Sequence, residues 1–197
     1  MIRIKTFGWG FDCLGASVGA LINAKAEPTA IWPYDTGSDG YPWTDEQIAH
    51  FTSAARLSPA TVFRVNQGYL QGPGSAMHGD EFDLERGTWT MPGILDIIAA
   101  RRQAQWSTRV YCTWSNYGLL KQSLAQAGTG RSVWFRIADW NLSEHFADLA
   151  LHGDVYAGQW ASPASNPQTL VPGTSLTVGD AQVDLNVLLI ENTGWVG

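Results

Sequence analysis

The stretch Phe82-Asp83-Leu84-Glu85-Arg86-Gly87 decides how the rest of the chain is read. Apolar and acidic residues alternate in it. As a β-strand it sends Asp83 and Glu85 to one side of a sheet and Phe82 and Leu84 to the other. Two carboxylates on one face repel, which raises at least one pKa and keeps a proton available near neutral pH. A glycosidase needs that equipment at minimum: one group to protonate the leaving oxygen and another to support the developing cation. A D-x-E triplet standing alone is more often a strand ending in solvated charges, so its meaning depends on its surroundings.

Those surroundings describe one domain spanning residues 1–197, long enough for a full core. Hydrophobic residues make up 45% and charged residues 15%, a globular rather than a disordered balance. The net charge of -6 argues against nucleic-acid or anionic-membrane partners, which require basic patches. Ten Trp is a heavy load for this length; most fill core, but aromatic faces beside a cleft also stack on sugar rings. Cys13 and Cys112 allow one disulfide, although two buried free thiols is the commoner arrangement. The first residues superficially imitate a secretion signal, but Asp12 and the Gly/Trp cluster break the apolar stretch. No run approaches the ~18 apolar residues that span a bilayer. The expectation is a protein made in the cytoplasm without a signal peptide, either carried in a virion or released on lysis.

Outward from Asp83 the chain alternates strands and helices. Strands are expected at 2–12, 29–34, 61–65, across the acid pair, and at 109–114, 133–140, 155–160 and 183–188. Leu14, Val18, Leu21 and Ile22 follow helical spacing. Thr44 with Gln47 forms a capping box ahead of Ile48, Phe51 and Ala55. Thr90 caps a helix with Pro92 near its start and Ile94, Leu95 and Ile98 turned inward. Tyr117, Leu120 and Leu124 mark another helix, stopped by Gly128, and Ser143 caps a short one. Residues 68–80, with four Gly and one Pro, read as a loop.

Eight strands interleaved with helices predict the α/β class with parallel strands: a single irregular, compact TIM-like (β/α) barrel with some helices missing. Acids recur where C-terminal strand ends are expected: Asp12, Asp83 with Glu85, Asp139 and Asp184. That end of a barrel is where its loops build sites. Closure makes the first and last strands neighbours, so Asp12 and Asp184 are expected to meet.

Other motifs fail on context. Gly15-Ala16-Ser17-Val18-Gly19 matches a nucleophile elbow, yet too few residues precede it to supply the oxyanion hole, and no suitably late His follows. The glycines at 8, 10 and 15 miss the dinucleotide fingerprint, and no P-loop occurs. Residues 35–40 lack the alternating ligands of a calcium loop, and His50, His78, His145 and His152 show no metal spacing. No cofactor or metal is expected. A hard cation such as magnesium held by Asp12, Asp83, Glu85 and Asp184 is the minority alternative.

With the acids placed, the chain resembles the family-25 glycoside hydrolases, the Chalaropsis-type lysozymes, and the related glycoside-hydrolase-like domains of actinobacteria and their phages. Gly10-Phe11-Asp12 matches the opening Gly-x-Asp strand, and Asp83-Leu84-Glu85 the mid-chain Asp-x-Glu. Val110-Tyr111-Cys112-Thr113 matches a Tyr-containing strand, and residues 133–140 a Trp-rich one. Val171-Pro172-Gly173 and Val183-Asp184-Leu185-Asn186 match the closing loop and strand. The family's Trp-Gln near the seventh strand is reversed here as Gln159-Trp160, and its Ser and Gln after the first Asp are missing.

The resemblance implies a flattened eight-stranded β/α barrel that cleaves peptidoglycan between N-acetylmuramic acid and N-acetylglucosamine. Glu85 would be the general acid/base, Asp83 would orient the attacking acetamido group, and Asp12 and Asp184 would line the cleft. Asp139, Trp89, Trp114, Trp140 and Trp160 would shape it, and Tyr111 is expected to donate a hydrogen bond to a carboxylate or to the acetamido group. Bacterial cell-wall glycan is therefore the expected partner. The rival expectation is a catalytically inactive barrel, a structural or glycan-binding subunit of a phage head or tail that associates with other phage structural proteins. A fold outlives its chemistry.

Overall fold

The computed structural model describes residues 7–13, 18–34, 42–68, 79–85, 88–128, 133–139, 148–161, 177–178 and 181–189; at 7–9, 11–13, 160–161, 177–178 and 181–182 it describes the backbone alone. The elements named among the described residues follow in the order β1 (Phe7–Cys13), α1 (Val18–Asn23), β2 (Ala30–Pro33), α2 (Asp45–Ala54), β3 (Val65–Asn66), β4 (Glu81–Leu84), α3 (Met91–Gln103), β5 (Thr108–Thr113), α4 (Trp114–Gln126), β6 (Val133–Ala138), β7 (Val155–Ala161), β8 (Thr177–Val178), β9 (Ala181–Gln182) and β10 (Asp184–Leu189).

Local chemistry sets the helix boundaries. The Thr44 hydroxyl accepts from the Gln47 N–H at 3.1 Å while the Gln47 side chain accepts from the Thr44 N–H at 2.8 Å, the reciprocal box that the sequence predicts. Thr90 caps α3, which carries Pro92 in its first turn and Arg101 and Arg102 in its last, where cations suit the helix dipole. Thr113 both ends β5 and caps α4, so Trp114 opens a helix rather than closing a strand. The predicted strand over 61–65 is shorter than expected. Pro59–Thr61 is a 3-10 turn, and β3 begins only at Val65. Ser143 and Trp140 lie outside the described residues, and a helical turn occupies 148–151.

Eight strands make one sheet in the order β2-β1-β10-β7-β6-β5-β4-β3. It curls, so that its two edges approach. Ile31 bridges Val62, Tyr34 bridges Val65, and the Phe63 N–H donates to the Ile31 carbonyl at 3.0 Å. The α/β class is thus present as a curled, mostly parallel sheet. The all-parallel expectation needs a correction, because β10 runs antiparallel to both β1 and β7. Asp184 therefore stands at the start of its strand, not at its end. The reversal nonetheless puts it at the same end of the sheet as the C-terminal ends of the parallel strands, with Asp12 as its Cα partner.

Alternation sorts the two faces. Ile31, Phe82, Leu84, Val110, Cys112, Phe135, Ile137, Leu185 and Val187 pack against the four helices. The other, concave face has a smaller apolar cluster built from Ala30, Trp32, Phe63, Val65, Tyr156, Ala157 and Leu188. Cys112 is a free thiol buried on the helix side, where burial pushes its pKa up, and the Cys13 side chain lies outside the described residues. Among the described residues no helix is long and apolar enough to cross a membrane.

Gly10 marks the tightest approach in the sheet. A Cβ there would lie 2.3 Å from the Ala30 carbonyl oxygen, a backbone atom that cannot step aside. Gly10→Ala is expected to lower the unfolding free energy by about 1–3 kcal/mol in urea titrations. Gly19→Ala is the control: a Cβ at this helical position meets nothing within 4 Å, so stability should hold or rise slightly.

Candidate functional site

Strand β4 is buried along its whole length, although half of its residues are acids. Glu81 and Asp83 share the concave face, because Phe82 and Leu84 take the helix side. A carboxyl in such a place must be paired or hold a proton. Glu81 is paired. It is fully buried, and its Oε1 accepts from Arg136 Nε at 2.9 Å and from Nη2 at 2.7 Å. Its Oε2 accepts from the Tyr156 hydroxyl, which in turn accepts from the Trp32 indole N–H at 3.0 Å. Arg136, 1% exposed, also donates from Nη1 to Asn186 Oδ1 at 2.8 Å. Burial beside the Glu81 anion pushes the Tyr156 phenol well above its ordinary value. These groups form a polar floor across the concave face.

Asp83 lies one layer above this floor and takes the other route. It is 4% exposed, and its carboxyl meets only long contacts: Gln67 Nε2 at 3.4 Å and the Thr88 hydroxyl at 3.5 Å. Burial first, and then the neighbouring Glu85 charge, pushes its pKa up to about 8 from an ordinary 3.8, against an opposing pull from Arg136 and Gln67. Thr88 Oγ1 accepts from the Glu85 N–H at 2.8 Å, and its hydrogen can serve the Glu85 carbonyl at 2.9 Å or Asp83 Oδ1 at 3.5 Å. Glu85 follows β4 and is half-buried.

Across the mouth the polar groups are linked in series. The Tyr111 hydroxyl donates to Gln159 Oε1, and Gln159 Nε2 donates to Asp184 Oδ2 at 3.0 Å. Tyr111 is the Cα partner of Asp83 and of Arg136, whose guanidinium lies 4.3 Å from the centre of its ring. The phenol thus gives its proton to the Gln159 amide, where the sequence reading has it donate to a carboxylate or to an acetamido group. Asp139 follows β6; its N–H donates to the Gln159 carbonyl at 2.9 Å, and its Oδ2 accepts from the Trp114 indole at 2.7 Å. Trp114 in turn packs on Tyr117 and His152, with ring centres 5.5 and 5.2 Å away.

The structure thus gathers Asp83, Glu85, Tyr111, Asp139, Trp114 and Asp184 at one end of the sheet, and the backbone of Asp12 beside Asp184. Trp160 belongs to β7, its side chain outside the description, and Trp140 lies outside it altogether. Trp89 requires a correction. Its ring is 6% exposed, packs edge-on to Phe82 and gives its N–H to Asn66 Oδ1 at 3.1 Å, so it fills the core beneath α3 rather than walling the mouth. Among the described residues no group of three His, Cys, Asp or Glu is placed to hold a metal ion. A groove of about 700 Å³ lies elsewhere, beside α2 and the start of β4, and its lining includes none of the mouth residues.

Sequence reasoning missed Glu81, Arg136, Gln67 and Thr88. The signal for Glu81 was available, since it continues the alternation of Asp83 and Glu85 by one step toward the N-terminus. Arg136 is hidden among the apolar residues of β6, and nothing local marks it as the partner of an acid 55 positions away.

No family model matches the chain, and no curated protein or solved structure matches it.

Asp83 binds its proton more tightly in the folded chain than in the unfolded one. Its stabilising contribution is complete below the unfolded value and is lost as pH rises through about 8. Asp83→Asn removes this dependence. The stability of the variant relative to wild type is expected to grow by about 1.4 kcal/mol per pH unit between roughly pH 4 and pH 8. Urea unfolding at several pH values reads it, and a difference flat with pH would show that Asp83 ionises normally.

Proposed function

We propose that this chain is a muramidase-like glycoside hydrolase acting on bacterial cell-wall glycan, its site at the open end of an eight-stranded β/α barrel closed through the Ile31–Val62 and Tyr34–Val65 bridges. The observation that carries it is the acid pair. Asp83, buried and with its pKa pushed up to about 8, stands two residues from a half-buried Glu85, with Asp184 and Asp139 on the same rim. Perturbed carboxyls of this kind concentrate at functional sites. The Glu85 charge raises the Asp83 pKa, and two carboxyls that interact and titrate as a unit suit a pair that must deliver a proton and take it back.

In this reading, Glu85 gives the shared proton to the glycosidic oxygen as the bond from that oxygen to the anomeric carbon breaks. Asp83, now an anion, accepts a hydrogen bond from the acetamido N–H while the acetamido oxygen bonds to the anomeric carbon. Water then attacks that carbon, the acetamido oxygen leaves, and Glu85 takes the water's proton, restoring the pair. Trp114 offers an aromatic surface at the rim, oriented by Asp139.

A second reading is a catalytically silent barrel that holds glycan or is built into a phage particle. One observation favours it: Tyr111, Gln159 and Asp184 satisfy one another, as scaffold groups do. Reducing-sugar release from purified cell walls separates the two. Wild type is expected to release sugar, and Glu85→Gln to lose at least about 100-fold, the scale of a general acid. Retention of wall binding with no release by wild type would instead identify the silent barrel. Equal release by both proteins would remove Glu85 from the mechanism.

A further inference from the structure

We propose that Glu81 is a positioning residue of the site: it holds the Arg136 guanidinium in the floor beneath Asp83 and offsets its charge there. Its meaning for catalysis rests on the hydrolase reading. Arg136 lies directly under the mouth, against the ring of Tyr111, and Tyr111 is opposite Asp83 in the sheet. An unopposed guanidinium there would hold the Asp83 carboxyl as an anion. Glu81 offsets part of this by taking both Nε and Nη2 on one oxygen, while neutral Asn186 takes Nη1. The Tyr156 hydroxyl, itself held by Trp32, fixes the second oxygen of Glu81 and keeps that carboxylate from turning upward.

The other groups around Asp83 do not replace this arrangement. Glu85 on its own strand adds like charge. Arg109 of β5 is directed to the rings of Phe63 and Tyr156, at 4.9 and 5.6 Å, in the apolar cluster below the floor. Tyr111 of β5 and Gln159 of β7 are engaged with each other, and Asp184 of β10 accepts from Gln159. Gln67, after β3, and Thr88 are neutral. Among the described residues around Asp83, Arg136 is therefore the cation to be neutralised, and Glu81 is an anion that meets it.

Carboxyl carbon NMR of the full chain with labelled aspartate tests this, the Asp83 resonance being assigned by its loss in Asp83→Asn. In Glu81→Gln the Asp83 midpoint is expected to fall by about one pH unit or more, a tenfold rise in its acid dissociation constant. In Arg136→Gln it is expected to rise. Opposite movements support the proposal. No movement in either variant overturns it, and so does a fall in both, because packing loosened enough to admit water lowers a buried carboxyl's pKa whichever partner is lost. Should Glu81→Gln fail to fold, Arg136→Gln decides alone: a rise supports, and no change or a fall overturns. The readout involves no sugar. Titrations that follow the proposal beside a wild type that releases none would leave the Glu81 assignment standing and remove the hydrolase.

Discussion

One buried ion pair governs the concave face of this sheet. Glu81 and Arg136 have almost no contact with water, and each is tolerable there only because of the other. Such pairs contribute little net stability, yet breaking one leaves a naked charge and costs about 3–5 kcal/mol. The pair thus fixes where β4 and β6 can sit relative to each other, with β5 between them. It also divides the interior. Below it, Trp32, Phe63, Tyr156 and Leu188 pack as apolar filling. Above it, among the described residues, stand Asp83, Tyr111, Gln159 and Asp184.

The direction of the last strand is the second constraint. In a fully parallel arrangement Asp184, at the start of its strand, would fall at the far end of the sheet. Because β10 runs against both neighbours, its first residues stand beside the last residues of β1 and β7. A single reversal brings the Asp184 carboxylate within 3.0 Å of Gln159 and places Asp12 opposite it in the register. Asp12 and Asp184 come from opposite ends of the chain.

What was legible in the sequence follows from what is local. The capping box at Thr44 and Gln47, the Thr90 cap and the Gly128 stop involve neighbours within four residues, and all form as read. Alternation over residues 82–85 correctly separates the acids from Phe82 and Leu84. Strand direction was not legible, because a period of two residues is the same read either way, and the β10 reversal depends on pairing with strands far off in the chain. The β3 region failed for a similar reason. Val62 and Val65 are good strand formers, but Pro59 starts a 3-10 turn and leaves only two residues to pair continuously. Among the aromatics, composition could not separate Trp89 from Trp114. Trp89 is trapped between Gly68 and Gly93, whose missing side chains make room for its ring, whereas Trp114 begins a helix at the rim.

The balance between an active site and a scaffold turns on which polar groups the fold leaves poorly served. Glu81 has charged and phenolic donors on both oxygens, and Asn186, Gln159 and Asp184 are bound to one another or to the floor. Asp83 is different. It is as buried as they are, yet its carboxyl has only two contacts, both near the limit of hydrogen bonding. A buried polar group with weak partners costs stability, and a domain selected for shape alone gains nothing by keeping one. The same deficit becomes an asset once a ligand brings a donor or acceptor of its own, since the hydrogen bond it forms displaces no good one. That asymmetry favours a mouth built to receive something at Asp83, beside the half-buried Glu85.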